Sequence, residues 1–200
     1  MLKVALTGGA ATGKSFVLEQ FRKKGIPTLV ADDLAHGVTA AGTEATAAIA
    51  ARFGNDVLAK DGSVNREVLG SIVFADTGAR RDLEQIVHPG VYRAIEAGLR
   101  AFEKAGDALA VVEIPLLYES GHAKDFDRVI VTACSPETQL KRLIERGISE
   151  MRARQVVAAQ KPTEEKAALA DYVIRTDGTH AETEAQVRDL LQKLVTPARR

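Results

Sequence analysis

The sequence predicts an α/β fold built on a parallel sheet. Short apolar runs, typical of strands buried on both faces, alternate along the chain with amphipathic helical stretches. The first apolar run leads through a glycine-rich loop into a helix, as expected of a parallel α/β protein. A helical stretch at 33–106 is too long for an ordinary crossover, so we interpret it as an inserted helical domain.

Each element follows from its local pattern, taken in chain order. Apolar and β-branched runs predict five strands, at 2–6, 27–31, 108–114, 127–133 and 171–175. Helical periodicity predicts helices at 14–24, 34–40, 43–53, 66–74, 79–87, 91–104, 137–146, 149–160 and 181–194. His88-Pro89-Gly90 should interrupt the two helices around it, because proline disfavours helix at the preceding residue. The tail at 197–200 is expected to fray.

The loop after the first strand matches the P-loop pattern G-x-x-x-x-G-K-[ST] at residues 8–15. Gly8 and Gly13 can adopt backbone angles that other residues avoid, so that successive amides point into one concavity and hold phosphate oxygens. Lys14 supplies a cation for the β- and γ-phosphates, and Ser15 supplies a hydroxyl for Mg²⁺. A glycine-rich turn could fit by chance, but the strand before it and the helix after it favour nucleotide binding. The expected nucleotide-binding residues are Gly8, Gly9, Ala10, Ala11, Thr12, Gly13, Lys14, Ser15 and Phe16.

Composition excludes several classes of protein. Lys plus Arg and Asp plus Glu each number 27, so bulk charge indicates no nucleic-acid or membrane partner. No apolar run approaches the roughly 20 residues that span a bilayer, and no signal segment precedes the first strand. Cys134 is the only cysteine, so no internal disulfide can form. We therefore expect a cytoplasmic protein, with no obligate protein partner evident.

Two acids lie where predicted strands end, at the edge where parallel α/β sheets bind ligands. Asp32 can accept a proton from an attacking hydroxyl or act through Mg²⁺; alternatively, Asp32 or Asp33 caps the next helix. Glu113 resembles the position that holds Mg²⁺ or its water in P-loop proteins, the alternative being a pairing with lysine or arginine. Pro115, directly after the third strand, is expected in the same cleft.

Four arginines lie between the fourth and fifth strands: Arg142, Arg146, Arg152 and Arg154. They can close over a triphosphate and offset charge during transfer, or they can form a solvated helix face with i,i+4 pairs. The residues alone leave both interpretations open. His88 is more typical of a turn or of a buried hydrogen-bonded residue than of a catalyst. The remaining histidines lack the spacing of a metal site.

The motifs narrow the class of P-loop protein. Neither D-x-x-G nor [NT]-K-x-D occurs, which excludes a GTPase switch. A short chain with a helical insertion and an arginine-rich late segment favours a small-molecule kinase. A nucleoside-monophosphate or other metabolite kinase is one alternative. A regulator that binds ATP only as a ligand is another.

Six short blocks of sequence, spread over nearly the whole chain, carry a resemblance to a known family. They are LTGGAATGKS at 6–15, VADDLAH at 30–36, VHP at 87–89, IPLLYES at 114–120, SPETQLKRLIERG at 135–147 and ADYVI at 170–174. Together they resemble the dephospho-coenzyme A kinase family. The fourth and fifth blocks are specific in combination.

The resemblance implies ATP-dependent transfer to the 3′-hydroxyl of the ribose of dephospho-coenzyme A, with Mg²⁺, as the last step of coenzyme A synthesis. It implies a P-loop NTPase core at 1–32 and 107–200, with a five-stranded parallel sheet flanked by helices. It also implies an inserted helical substrate domain at 33–106 and a mobile helical lid at about 140–165.

The resemblance also assigns roles to single residues. Asp32 becomes the base that faces the hydroxyl, and Arg142 matches a catalytic position. Arg146 lies in the lid segment that contacts the nucleotide. Three further positions are expected to bind the acceptor substrate: Thr7, His88 and Pro115.

The chain departs from the family pattern in four places. Val30 stands where an aspartate is usual, and the loop reads GGAATGKSF rather than GGIGSGKST. Phe16 removes a hydroxyl beside Ser15, which can alter contacts to the α-phosphate. RTDG at 175–178 replaces a form with asparagines, so the end that contacts the base can differ.

Overall fold

Five strands form one parallel sheet in the computed structural model, which describes residues 1–195. They are β1 (Leu2–Gly8), β2 (Thr28–Val30), β3 (Leu109–Glu113), β4 (Arg128–Ala133) and β5 (Tyr172–Arg175), in the order β2-β3-β1-β4-β5. The predicted fold class is therefore confirmed. The tail at 197–200 lies outside the described residues, so its predicted fraying stays a prediction.

The helices of the described chain fall between and after the strands. They are α1 (Lys14–Lys23), α2 (Ala31–Val38), α3 (Glu44–Phe53), α4 (Arg66–Ala75), α5 (Thr77–Ala105), α6 (Pro136–Glu145), α7 (Glu150–Ala158), α8 (Thr163–Ala168) and α9 (His180–Val195). Short 3₁₀ turns occur at Asn55–Val57 and Ala123–Asp125. Within residues 1–195, no helix combines the length and apolarity needed to cross a bilayer.

The P-loop leaves the sheet at its centre, because β1 lies between β3 and β4. Leu6 of β1 pairs with Glu113 of β3, and Gly8 pairs with Thr132 of β4. All five residues of β3 are buried, as expected for a parallel strand covered on both faces. The carboxyl ends of three adjacent strands therefore meet around the glycine-rich loop.

A single side chain forms hydrogen bonds with the outer edge of strand β5. Gln186 of α9 accepts a hydrogen bond from the amide of Arg175 at 2.9 Å and donates one to its carbonyl at 2.8 Å. The amide group of Gln186 thus takes the place of a further strand at this residue of β5.

The chain divides into two compact units. The first, here the sheet unit, comprises Met1–Leu29 and the chain from Ala101 onward. The second, the helical unit, comprises Val30–Arg100. The roles predicted for the insertion and the lid stay predictions.

The helical unit has a core of its own. A buried cluster forms where α3, the first 3₁₀ turn and α4 meet, and half-buried residues of α5 pack against it: its members are Ile49, Val57, Val64 and Leu69. Thr43 caps α3, and Asn65 caps α4 through its side-chain oxygen. An antiparallel bridge between Leu58 and Val64 closes the turn at 60–63.

Helix α5 runs through Pro89 without a break, so the predicted interruption was wrong. Proline inside a helix removes one hydrogen bond and costs about 3 kcal/mol. Residues of α5 on both sides of Pro89 are buried, among them Ala79, Val91 and Ile95. The burial of this face stabilises one continuous helix despite the proline.

Two further differences from prediction are larger than one or two residues at the end of an element. Helix α2 begins at Ala31 rather than at 34, directly after β2. Helix α8 was not predicted, since a six-residue segment carries too little periodicity to distinguish it from a loop.

Two glycines inside helices of the helical unit test its packing. A Cβ added at Gly90 of α5 would lie 2.7 Å from Cγ1 of Val38, whereas one at Gly70 of α4 meets no described atom within 4 Å. Gly70→Ala should raise the free energy of unfolding by up to about 1 kcal/mol, because alanine favours helix. Gly90→Ala should lower it, because overpacking outweighs that gain. Urea denaturation of both variants measures the difference, and an equal rise in both would contradict the close approach of α2 and α5.

Candidate functional site

The P-loop presents the amino end of α1 as an anion site. Gly13 precedes the helix with φ of 85°, in the left-handed region, and no side chain of the described residues caps the helix there. The amides of the first turn therefore keep their hydrogen-bonding capacity for a ligand. The sequence predicted this arrangement from the motif alone.

The loop backbone is strained at Ala11, whose φ is 56°. A left-handed alanine costs about 1–2 kcal/mol relative to ordinary backbone. Such angles persist where surrounding contacts determine them, and they cluster at functional sites. Here the carbonyl of Ala10 accepts from Gln139 Nε2 at 2.7 Å, and that of Ala11 accepts from Arg142 Nη1 at 3.2 Å.

Two loop glycines are required by close packing. A Cβ on Gly8 would lie under 3 Å from the side chain and the carbonyl of Thr132. A Cβ on Gly9 would collide with Thr163 and with Gln139. The loop is therefore fitted against β4, α6 and α8, and its backbone conformation is fixed from several sides.

A network of buried threonines supports the loop from beneath. Thr12 Oγ1 lies 2.9 Å from the carbonyl of Gly9 and 2.8 Å from Thr132 Oγ1. Thr132 Oγ1 lies 3.3 Å from the carbonyl of Thr7. Sequence reasoning missed Thr132, since a threonine inside an apolar strand looks like any β-branched strand residue.

Lys14 lies over the loop rather than away from it. Its ammonium donates to the carbonyl of Gly9 at 2.9 Å and to that of Gly8 at 3.4 Å. Ser15 follows it in the first turn of α1 and is exposed. Both side chains are thus placed at the mouth of the amide cradle.

Arg142 fastens the P-loop to the segment that follows β5. Its Nη1 donates to Thr176 Oγ1 at 3.0 Å, and its Nη2 donates to the carbonyl of Thr176. Thr176 Oγ1 in turn donates to the carbonyl of Thr12 at 2.9 Å. The guanidinium therefore faces the loop, and the alternative of a solvated helix face is wrong for this residue.

Two other arginines of the cluster, Arg146 and Arg154, are exposed. Arg146 follows the last residue of α6 and is exposed. Arg154 pairs with Glu150 at 2.6 Å on an exposed face of α7, as the surface interpretation expects. The predicted contact of Arg146 with the nucleotide stays a prediction.

The segment after β5 is also anchored at Asp177. Its carboxylate accepts from the amide of Ser135 at 2.8 Å and from Thr138 Oγ1 at 3.0 Å. These hydrogen bonds, the one from the Ser135 amide foremost, lower the pKa of Asp177 below its ordinary value. The segment is thereby attached to the start of α6.

Glu113 ends β3 and is 8% exposed, directly across from Leu6 of β1. Ser15 and Glu113 offer oxygen atoms, which are the ligands that Mg²⁺ prefers. Among residues 1–195 no group of three or more acidic, histidine or cysteine side chains could hold a metal by itself. Binding of an ion by Ser15 and Glu113 together stays a prediction.

Thr7 and Pro115 are brought together at the carboxyl edge of the sheet. Thr7 is fully buried, and its Oγ1 donates to the carbonyl of Pro115 at 3.2 Å. The hydroxyl of Thr7 thus holds the loop after β3 against the end of β1. Whether either residue contacts a substrate stays a prediction.

Asp32 and His88 belong to the helical unit. Asp32 is exposed in the first turn of α2, whose N-cap is Val30, and no described side chain caps that helix. The capping interpretation of Asp32 and Asp33 is therefore wrong. His88 lies inside α5, edge-to-face with Tyr92 at 6.3 Å between ring centroids, so the turn interpretation is also wrong.

One departure from the family pattern, Phe16, makes a ring contact in the structure. The ring of Phe16 stacks on that of His180, with centroids 4.3 Å apart and planes inclined by 19°. Phe16 lies in the first turn of α1, and His180 begins α9 just after the altered 175–178 segment. The side chain that removes a hydroxyl from the loop thus forms a ring contact instead.

A central strand, a glycine loop with its lysine, and an uncapped helix terminus on a parallel sheet define a P-loop nucleotide-binding protein. The model of one family, dephospho-CoA kinase, matches residues 2–182. The chain belongs to the dephospho-CoA kinase family.

Individual relatives agree over nearly their full length. The chain is 42% identical to a dephospho-CoA kinase of Shouchella clausii over 193 residues, 96% of this chain and 98% of that protein. A solved structure of TT1252 from Thermus thermophilus has a TM-score of 0.84 at 28% identity and covers 98% of both chains. The dephospho-CoA kinase of Campylobacter jejuni has a TM-score of 0.73 at 29% identity and covers 96% of both.

The contact between Phe16 and His180 predicts an energetic coupling. Stacked aromatic pairs contribute about 0.5–1.5 kcal/mol beyond the area they bury. Phe16→Leu and His180→Ala should therefore be non-additive by that amount in a double-mutant cycle of unfolding free energies. Additive values would contradict the stack.

Proposed function

We propose that this protein transfers the γ-phosphoryl group of ATP to the 3′-hydroxyl of the ribose of dephospho-coenzyme A, giving coenzyme A and ADP. This is the last step of coenzyme A synthesis. The observation that carries the proposal is the family match over residues 2–182, in a chain whose P-loop leads into a helix with no side-chain cap among residues 1–195. Zero net charge and the single cysteine support a cytoplasmic reaction without a nucleic-acid or membrane partner.

The P-loop binds and orients the triphosphate in this proposal. Amides of residues 8–16 hold the phosphate oxygens, and the positive end of α1 adds to the attraction. Lys14 moves from the carbonyls of Gly8 and Gly9 to the β- and γ-phosphates, which exchanges neutral acceptors for charged ones. The loop amides are already fixed, so they need little reorganisation during transfer.

Ser15 and Glu113 are the residues that would hold Mg²⁺ beside the nucleotide. The ion, when bound, neutralises charge on the β- and γ-phosphates. Glu113 ends β3, at the edge of the sheet where parallel α/β proteins bind ligands.

Asp32 is the proposed base. The 3′-hydroxyl gives its proton to the Asp32 carboxylate as its oxygen bonds to the γ-phosphorus, and the bond from that phosphorus to the bridging oxygen of ADP breaks. Arg142 and Arg146 offset negative charge during the transfer. Three residues, Thr7, His88 and Pro115, would bind the acceptor.

The identity of the acceptor is tested by a panel of alcohols. Coupled release of ADP should require dephospho-coenzyme A and should remain at the background rate with adenosine monophosphate or shikimate as acceptor. Phosphorus NMR of the product should show a new 3′-phosphomonoester. A faster rate with a nucleoside monophosphate would favour a different metabolite kinase, and release that ignores every acceptor would end the proposal.

Asp32 and its neighbour Asp33 form a matched pair of substitutions. Both carboxylates are exposed in the first turn of α2, so neither change should unfold the protein. Asp32→Asn should lower kcat by about 10²–10⁴-fold, the usual worth of a general base, with the KM for ATP nearly unchanged. Asp33→Asn should retain kcat. Equal effects of the two changes would remove Asp32 from the base role.

A further inference from the structure

Lys166 of α8 is a buried charge that the proposed reaction does not use. Its side chain is 0% exposed. Lysine is almost never fully buried unless it is paired, because removing an ammonium group from water is costly. The contacts of Lys166 therefore indicate what this position stabilises.

The ammonium of Lys166 has two partners in the segment after β3. It lies 2.8 Å from Oε1 of Glu119 and donates to the carbonyl of Pro115 at 3.2 Å. Glu119 also accepts from the amide of Lys161 at 3.0 Å. Burial alone would raise the pKa of Glu119, but the hydrogen bonds from Lys166 and Lys161 outweigh it and lower that pKa. The side chain of Lys166 in α8 and the backbone amide of Lys161 before it thus bind the same carboxylate.

The carbonyl of Pro115 is shared with the strand that carries the P-loop. It accepts from Thr7 Oγ1 as well as from Lys166, each at 3.2 Å. Thr7 directly precedes Gly8. One backbone oxygen therefore joins β1, the segment after β3 and α8.

The other end of α8 touches the P-loop itself. Thr163 lies against Gly9 so closely that a Cβ there would collide with it. Its Oγ1 contacts Gln139 Oε1 at 3.5 Å, and Gln139 donates to the carbonyl of Ala10. Thr163 and Lys166 are three residues apart, so they lie on one face of the helix. Helix α8 thus contacts the phosphate-binding loop at one turn and the segment after β3 at the next.

We propose that Lys166 is a positioning residue, which holds the Pro115–Glu119 segment at a fixed distance from the P-loop through α8. This proposal rests on the proposed function, in which Pro115 of this segment binds the acceptor. Lys166 therefore affects the binding of the acceptor and not that of ATP. The loss of its ammonium releases the carbonyl of Pro115 and leaves Glu119 without its cation. The segment then moves relative to the γ-phosphate.

Lys166→Met tests the proposal, since methionine fills a similar volume without charge. The KM for dephospho-coenzyme A should rise about tenfold or more, as expected for one charge-assisted hydrogen bond, with the KM for ATP changed far less. Lys161→Met is the matched control, because its ammonium pairs with exposed Glu165 at 3.5 Å. That variant should keep both KM values.

A paired variant distinguishes positioning from general stability. Lys166→Met alone leaves a half-buried carboxylate unpaired, so it should also lower the unfolding temperature. Adding Glu119→Gln removes that charge and should recover much of the temperature. The KM for the acceptor should stay high, because the hydrogen bond to Pro115 is still missing. Recovery of KM together with stability would overturn the proposal, as would a folded Lys166→Met enzyme with normal KM.

Hydrogen exchange gives a readout that needs no acceptor. Lys166→Met should speed amide exchange in residues 114–121 by about tenfold or more, with α3 of the helical unit unchanged. If the native enzyme fails to phosphorylate dephospho-coenzyme A, the proposed function fails, and this exchange decides the role of Lys166 alone. Unchanged exchange in that segment would overturn it.

Discussion

The structure depends on how tightly the backbone of the glycine loop is packed. Gly8 and Gly9 have no room for a Cβ, and Ala11 is held in a left-handed conformation. Thr12 and Arg142 donate hydrogen bonds to carbonyls of the loop, and Thr163 of α8 packs against Gly9. Because these contacts engage the carbonyls of the loop, its amides stay available for a ligand. The loop then needs little further ordering when a ligand binds.

The sequence predicts the parts of this site that are local in the chain. A strand, a glycine pattern and a lysine lie within fifteen residues, so spacing alone identifies them. The supports are distant: Gln139, Thr163 and Thr176 reach the loop from well over a hundred residues away. A buried polar side chain looks like a surface residue until the tertiary contacts are known. The continuity of α5 through Pro89 escaped prediction for the same reason, because burial on one face outweighs a local preference.

The two compact units divide the chemistry expected of the family. The sheet unit carries the phosphate cradle, while the candidate base Asp32 lies in the first turn of the helical unit. The chain reaches Asp32 directly from β2, with Val30 as the N-cap of α2. The usual aspartate at position 30 is therefore replaced where the strand passes into the helix. Phe16, another departure from the family pattern, lies in the first turn of α1, where its ring stacks on that of His180.

The hydrogen bonds between Gln186 of α9 and the edge strand β5 also bear on association between molecules. An unpaired edge strand invites a strand from another molecule, and such additions lead to domain swapping and fibrils. Because both polar groups of Arg175 are already engaged by Gln186, an incoming strand finds no donor or acceptor there. A single amide side chain, two turns into α9, thus opposes polymerisation by strand addition at this edge of the sheet.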